Sequence, residues 1–371
     1  MSSPDVVVIG GGVMGCAIAL RLATRGLRPV VLERSVPGAE ASSVAAGILA
    51  PRIEHGEPGV ATRCGVRSRE LHERLAEELR ERAGVDVGFR RCGAMIVATD
   101  DEDRLESRAR SLRDGGAAAE HLDADEARRR EPELGPAVRG AIDLPEEAQV
   151  EPPVLLRALA IAAERAGARF RSGATVRGVR TEGARITGVL VDDGTIDAGH
   201  VVVAAGSWTA LVPGLPAPAQ VVRPIRGQLV HTERRPCIAS RIVFGAGGYV
   251  VPRPDGRVVC GATMEDAGFA KEVTLGGVAT VIARATRVFP ALADAPLVSS
   301  AVNFRPASPD ELPLVGPAGP EGLWLATGHH RNGILLAPLT AVLIAEMIAE
   351  GATSIPDAAA LDPRRFARGT A

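Results

Sequence analysis

Apolar and polar positions fall into two periods along the chain, and the changes of period mark out its elements. Asp5 to Ile9 ("DVVVI") is an unbroken apolar run of strand length, as in a parallel-sheet strand covered on both faces. Glycines interrupt it, and then Val13, Ala17, Leu20 and Ala23 recur at helical spacing as far as Gly26. Pro29 to Leu32 is a second strand ending in Glu33. Arg67 to Arg82 and Pro153 to Ala166 carry helical patterns, and "HVVVAAGSWT", His200 to Thr209, reads as a strand running into a helix start. Between Ala219 and Thr263 the pattern becomes hairpin-like: "YVVPRPDGRVVCGAT" is strand, Pro-Asp-Gly turn, strand. The Pro/Gly/Ala stretch Val212 to Ala219 reads as a linker. Near the C-terminus "HHRNG" stands directly before a long apolar helix.

The first period change carries chemistry. Gly10, Gly12 and Gly15 match GxGxxG in the order strand, turn, helix, strand, acid. Gly10 permits the tight turn, Gly12 lets backbone N–H groups approach a pyrophosphate, and Gly15 lets helix and strand pack closely. The helix N-terminus offers its positive dipole end to phosphates, and Glu33, about 20 residues on, is placed to accept from a ribose 2′-OH. Such a unit serves NAD and FAD alike. The run of small residues after the second strand, "GAEASSVAAGILAP" from Gly38 to Pro51, favours a flavin, whose pyrophosphate and ring must pass close to backbone. No second GxGxxG occurs, so a nicotinamide domain is not expected, and the substrate itself should reduce the flavin.

Composition narrows the class. A chain of 371 residues, 46% hydrophobic and 24% charged, has material for two domains with substantial cores. A net charge of −2 argues against a nucleic-acid surface. Met1 to Asp5 has no basic region, and Gly333 to Ala345 is interrupted by Pro338 and short of a membrane span, so neither a secretory signal nor a membrane anchor is expected. Five scattered cysteines without a CxxC fit reduced thiols, a cytoplasmic setting and no metal knuckle. Lys271 is the only lysine and follows no glycine-rich loop, which speaks against Walker A nucleotide hydrolysis and pyridoxal phosphate chemistry.

Six segments together, "VVVIGGGVMG", "ASSVAAGILAP", "VVVAAGSWT", "YVVPRPDGRVVCGATM", "NFRPASPDELPLVGP" and "ATGHHRNGILLAP", resemble the D-amino-acid oxidase superfamily of flavoproteins, its glycine oxidase branch most of all, over essentially the whole chain. The resemblance implies an α/β fold. A discontinuous Rossmann-like FAD domain would take residues 1–88, 146–220 and 300–371. A substrate domain on a mostly antiparallel sheet would take 89–145 and 221–299. It implies non-covalent FAD held by Gly10, Gly12, Val13, Met14, Gly15, Glu33, Arg34, Ala41, Ser42, Ser43, Ala46, Gly47, Ile48, Val176 and Gly206 at the dinucleotide end. At the ring, His329, His330, Arg331, Asn332, Gly333, Ile334 and Leu335 would lie over the flavin, the following helix aiming its N-terminus there. Tyr249, the only tyrosine, and Arg305 would bind the substrate carboxylate, with Arg331 at the edge and Met264 as an apolar wall.

The implied reaction is hydride transfer from the α-carbon of glycine or another small amino acid or amine to the flavin. It gives an imine and, with O2 as acceptor, hydrogen peroxide. A homo-oligomer and a place in thiamine biosynthesis are also implied. Two other readings remain open: a sarcosine or N-methyl amino-acid dehydrogenase with a different acceptor, and a flavin-binding subunit without turnover.

Overall fold

The structure, a computed structural model, describes residues 3–54, 59–100 and 103–367, so Met1 and Ser2 of the N-terminal reading lie outside it. Its first sheet has six strands in the spatial order Leu314–Pro317, Leu323–Thr327, His200–Val203, Val6–Ile9, Pro29–Glu33 and Arg169–Ser172. All neighbours pair in parallel except Leu314–Pro317, which returns antiparallel along Leu323–Thr327. Val6, Val7 and Val8 are fully buried, as an apolar run covered on both faces requires.

Three helices share a hydrophobic core with one face of this sheet. They are α1 (Val13–Ala23), α2 (Val60–Ala83) and α3 (Pro152–Arg165). The second sheet has eight strands: Leu297–Ala307, Arg223–Glu233, Arg257–Gly261, Gly248–Pro252, Ile242–Gly245, Ala94–Ala98, Gly140–Leu144 and Glu120–Asp123. Antiparallel pairing prevails, with one parallel contact between Ile242–Gly245 and Ala94–Ala98. Helix α4 (Leu275–Val288) packs its Val281, Ala285 and Val288 into the core of this sheet. The Pro-Asp-Gly hairpin forms as the sequence indicates, pairing Tyr249 with Gly261 and Pro252 with Val258.

Helix α5 (Gly333–Glu350) differs from the sequence reading. It runs straight through Pro338 and, by length and composition, the helix from His330 to Glu350 is long and apolar enough to cross a membrane. Most of it is buried against α1 and α2, as in a core helix. Proline survives inside because its missing N–H is compensated from outside. The Ile334 carbonyl, which Pro338 cannot serve, is met by His72 Nε2 at 2.8 Å, and the Leu335 carbonyl accepts from Ser68 Oγ at 2.6 Å. His72 therefore carries its proton on Nε2, and burial pushes its pKa down to about 4, so the ring is neutral. The expected linker Val212 to Ala219 is also not free chain. Val212, Leu215 and Ala219 are buried against the first sheet, and Ala217–Gln220 is a short helix.

Candidate active site

One cavity of about 390 Å³ runs between the two sheets and gathers most of the residues singled out in the sequence. Its dinucleotide end is lined by Gly10, Gly12, Val13, Met14, Glu33, Arg34, Ala41, Ser42, Ala46, Gly47, Ile48, Val176 and Gly206. The turn is built as the glycine spacing requires. Gly10 sits at φ +107°, and a Cβ on Gly15 would lie 1.9 Å from the Gly10 carbonyl oxygen. Within α1 the first intrahelical bond is Cys16 N–H to the Gly12 carbonyl, 3.0 Å, so the N–H groups of Val13 to Gly15 point out of the helix end. Val13 N–H is taken by Ser42 Oγ at 3.0 Å, which ties the small-residue segment to the turn. Glu33 accepts from Gly11 N–H at 2.8 Å and from Ser35 N–H at 2.9 Å, so its carboxylate is fixed by backbone and keeps further lone pairs toward the cavity.

The other end is lined by Gly227, Leu229, Tyr249, Asn303, Phe304, Arg305, His329, His330, Arg331, Gly333 and Ile334. Two side chains there lie over glycines of neighbouring strands. A Cβ on Gly261 would stand 2.4 Å from the Tyr249 hydroxyl oxygen, and one on Gly227 would stand 2.2 Å from Arg305 Nη1. Both aromatic ring and guanidinium occupy space that only glycine leaves open. Arg305 is half-buried, and its Nη1 donates to the Thr263 carbonyl at 3.1 Å, leaving other N–H groups of the fork unused by that contact. Phe244 meets Tyr249 edge-on at 6.0 Å. His330 holds a left-handed φ of +46°, which turns the chain from the strand Leu323–Thr327 into the helix start. His329 is buried, with Nε2 2.9 Å from Thr340 Oγ1. Burial pushes its pKa down to about 3, so it stays neutral and fastens the turn to α5.

Some expected residues stand elsewhere. Met264 is 55% exposed and not in the cavity wall. Thr263 and Glu265 on either side both bond Gln228, and alternation along an extended chain turns Met264 the other way. Gly15, Ser43, Asn332 and Leu335 lie behind the wall: Ser43 Oγ donates to the Glu40 carbonyl, and Leu335 packs toward α2. Conversely Trp208, Phe304, Asn303 and Gly227 line the cavity and were not singled out. Three of them lie within quoted segments, in "GSWT" and "NFRP", whereas nothing local marks Gly227. Arg34 lies 4.4 Å over the Trp208 ring, and Phe269 packs on both Trp208 and Phe304.

The donor set fits FAD: a helix N-terminus and glycines for phosphates, a backbone-fixed acid at one end, and a second helix start at the other, along one continuous cavity.

Comparison with known proteins agrees. The family model "FAD dependent oxidoreductase" (DAO) matches residues 5–347. Among curated proteins, the glycine oxidase of Geobacillus kaustophilus is 37% identical over 352 residues, 93% of this chain and 92% of that protein. The bifunctional protein ThiO/ThiG of Trichormus variabilis is 38% identical over 93% of this chain and 53% of its own length, so the chain spans about half of that relative. The crystal structure of the Geobacillus kaustophilus glycine oxidase superposes with a TM-score of 0.92 at 35% identity, covering 98% of this chain and 99% of that one. The chain belongs to the FAD dependent oxidoreductase family and is an FAD-dependent enzyme.

Proposed function

We propose that this enzyme oxidises glycine or another small amino acid to its imine, with O2 as the final acceptor and hydrogen peroxide as its product. The observation that carries the reading is the convergence of Arg305 and Tyr249 on the cavity end opposite the glycine turn, each lodged over a glycine. Bound FAD supplies the hydride acceptor for the substrate α-carbon. The chain supplies positioning and electrostatics. Arg305 binds the substrate carboxylate with its planar fork, and the Tyr249 hydroxyl donates a further hydrogen bond. Leu229 and Phe304 keep water from the reacting carbon. The start of α5 presents N–H groups and a positive dipole end where negative charge develops on reduction. The carboxylates lining the cavity, Glu33 and Glu40, lie at its dinucleotide end, which agrees with an amine that enters neutral and needs no general base.

In this reading residues 1–88, 146–220 and 300–371 form the FAD domain and 89–145 and 221–299 the substrate domain, with FAD bound non-covalently; the strand Leu297–Ala307 lies wholly in the second sheet, so its residues 300–307 go with the substrate domain instead. Kinship with ThiO/ThiG and with glycine oxidases favours glycine as substrate, its imine passing to thiamine biosynthesis; the reading includes a homo-oligomeric, cytoplasmic enzyme. Arg305→Ala tests the reading. Stranding a carboxylate in a mostly desolvated site costs about 2–5 kcal/mol, hence roughly 30- to 4,000-fold in kcat/KM, with FAD content unchanged. Glycine turnover equal to wild type would remove the carboxylate assignment.

A further inference from the structure

Asn303 lines the substrate end, is only 6% exposed, and has its two amide atoms placed differently. Its Oδ1 accepts from the Phe304 backbone N–H at 2.8 Å, which fixes the amide and assigns the other position to nitrogen. Among the described residues no hydrogen bond of the chain uses that nitrogen, and it is the end left to face the cavity. A purely structural asparagine in such a buried place would have both ends satisfied, since a donor left unmet costs more than its hydrogen bond returns.

The neighbourhood says what the donor is for. Gly227 is directly opposite Asn303 in the ladder between Arg223–Glu233 and Leu297–Ala307. Opposed Cβ positions on adjacent strands are roughly 5 Å apart. The Arg305 guanidinium fills the space where the Gly227 Cβ would be, at 2.2 Å from Nη1 and 2.5 Å from Nη2. The asparagine amide and the arginine fork are therefore side by side on one sheet face, two positions apart on one strand. One arginine N–H is committed to the Thr263 carbonyl. A carboxylate has about four acceptor positions, and a bidentate fork fills about two of them.

We propose that Asn303 is a specificity-determining residue that donates its amide N–H to the substrate carboxylate beside Arg305. It selects for an acceptor at this position: with Oδ1 occupied, the amide offers donors alone. The assignment rests on the reading of Arg305 as the carboxylate anchor.

The test uses the FAD-loaded enzyme titrated with acetate, a carboxylate that cannot be oxidised, with binding followed by the change in flavin absorbance. Asn303→Asp is the informative variant, since it keeps the oxygen that accepts from Phe304 N–H and replaces only the donor nitrogen by a charged acceptor. Its acetate dissociation constant should rise more than 100-fold. Asn303→Ala should raise it about 10- to 100-fold, the worth of one hydrogen bond to a charged group, and should raise KM for glycine more than it lowers kcat. If Asn303→Asp fails to take up FAD, Asn303→Ala decides. Arg305→Ala is run in parallel. Loss of acetate binding in Arg305→Ala with wild-type binding in the Asn303 variants overturns the role of Asn303 alone. Wild-type binding in all of them overturns the carboxylate reading as well. A weakened FAD affinity with unchanged acetate binding would place the amide on the cofactor and also overturn the proposal.

Discussion

Replacing Gly227 by alanine perturbs the site by a single methyl group at a known place. The new Cβ would lie 2.2 Å from Arg305 Nη1 and 2.5 Å from Cζ and Nη2, where ordinary contact needs about 3.5 Å. The guanidinium must therefore move by roughly 1 Å. Its chain is long and flexible, and a strand tolerates alanine at least as well as glycine, so the fold has little to lose. The displaced fork no longer meets the carboxylate squarely, and a misplacement of about 1 Å is worth on the order of 100-fold in rate. Steady-state peroxide formation from glycine should show a kcat/KM lower by about 30- to 300-fold, with unchanged FAD content and a Tm within a few degrees of wild type. A kcat/KM within twofold of wild type would mean that catalysis does not depend on where Arg305 stands. The reasoning that joins glycine to fork to carboxylate would then fail.

Two other outcomes follow from buried contacts. His72 is neutral with a pKa near 4, below the ~6.5 of the unfolded chain, so unfolding takes up a proton. Stability is full above pH 6.5 and falls as pH drops toward 4, by about 3 kcal/mol in all. His72→Gln, which keeps a donor for the Ile334 carbonyl without titrating, should flatten Tm between pH 6.5 and 4.5, and an unaltered pH profile would contradict it. Gly15→Ala puts a Cβ 1.9 Å from the Gly10 carbonyl oxygen, backbone against backbone, so α1 must shift. The protein should purify with less than a tenth of the wild-type FAD or fail to fold, and a fully yellow variant would refute the turn assignment.

Much of this was open to reading because it rests on local rules. Val6 to Ile9, the Gly10–Gly15 turn and Glu33 obey a spacing that short-range sterics dictate, and the Pro-Asp-Gly hairpin signals itself through turn chemistry. What escaped depends on contacts distant in sequence. Pro338 reads locally as a break, yet the helix continues because His72 and Ser68, more than 260 residues away, supply the missing donors. Val212 to Ala219 has a linker's composition but is held by apolar contacts to the first sheet. Gly227 looks like any glycine until Arg305 is seen lying over it, and Met264 sits in a matching motif while the alternation imposed by Gln228 turns it outward.

The proposed activity stands or falls on whether the substrate itself reduces the cofactor. The purified yellow enzyme is mixed with glycine in the absence of air and followed at the flavin absorption band; air is then admitted and peroxide assayed. The account predicts bleaching by glycine, recolouring on exposure to air and one peroxide per flavin reoxidised. A band unchanged by glycine, sarcosine and alanine alike would contradict it.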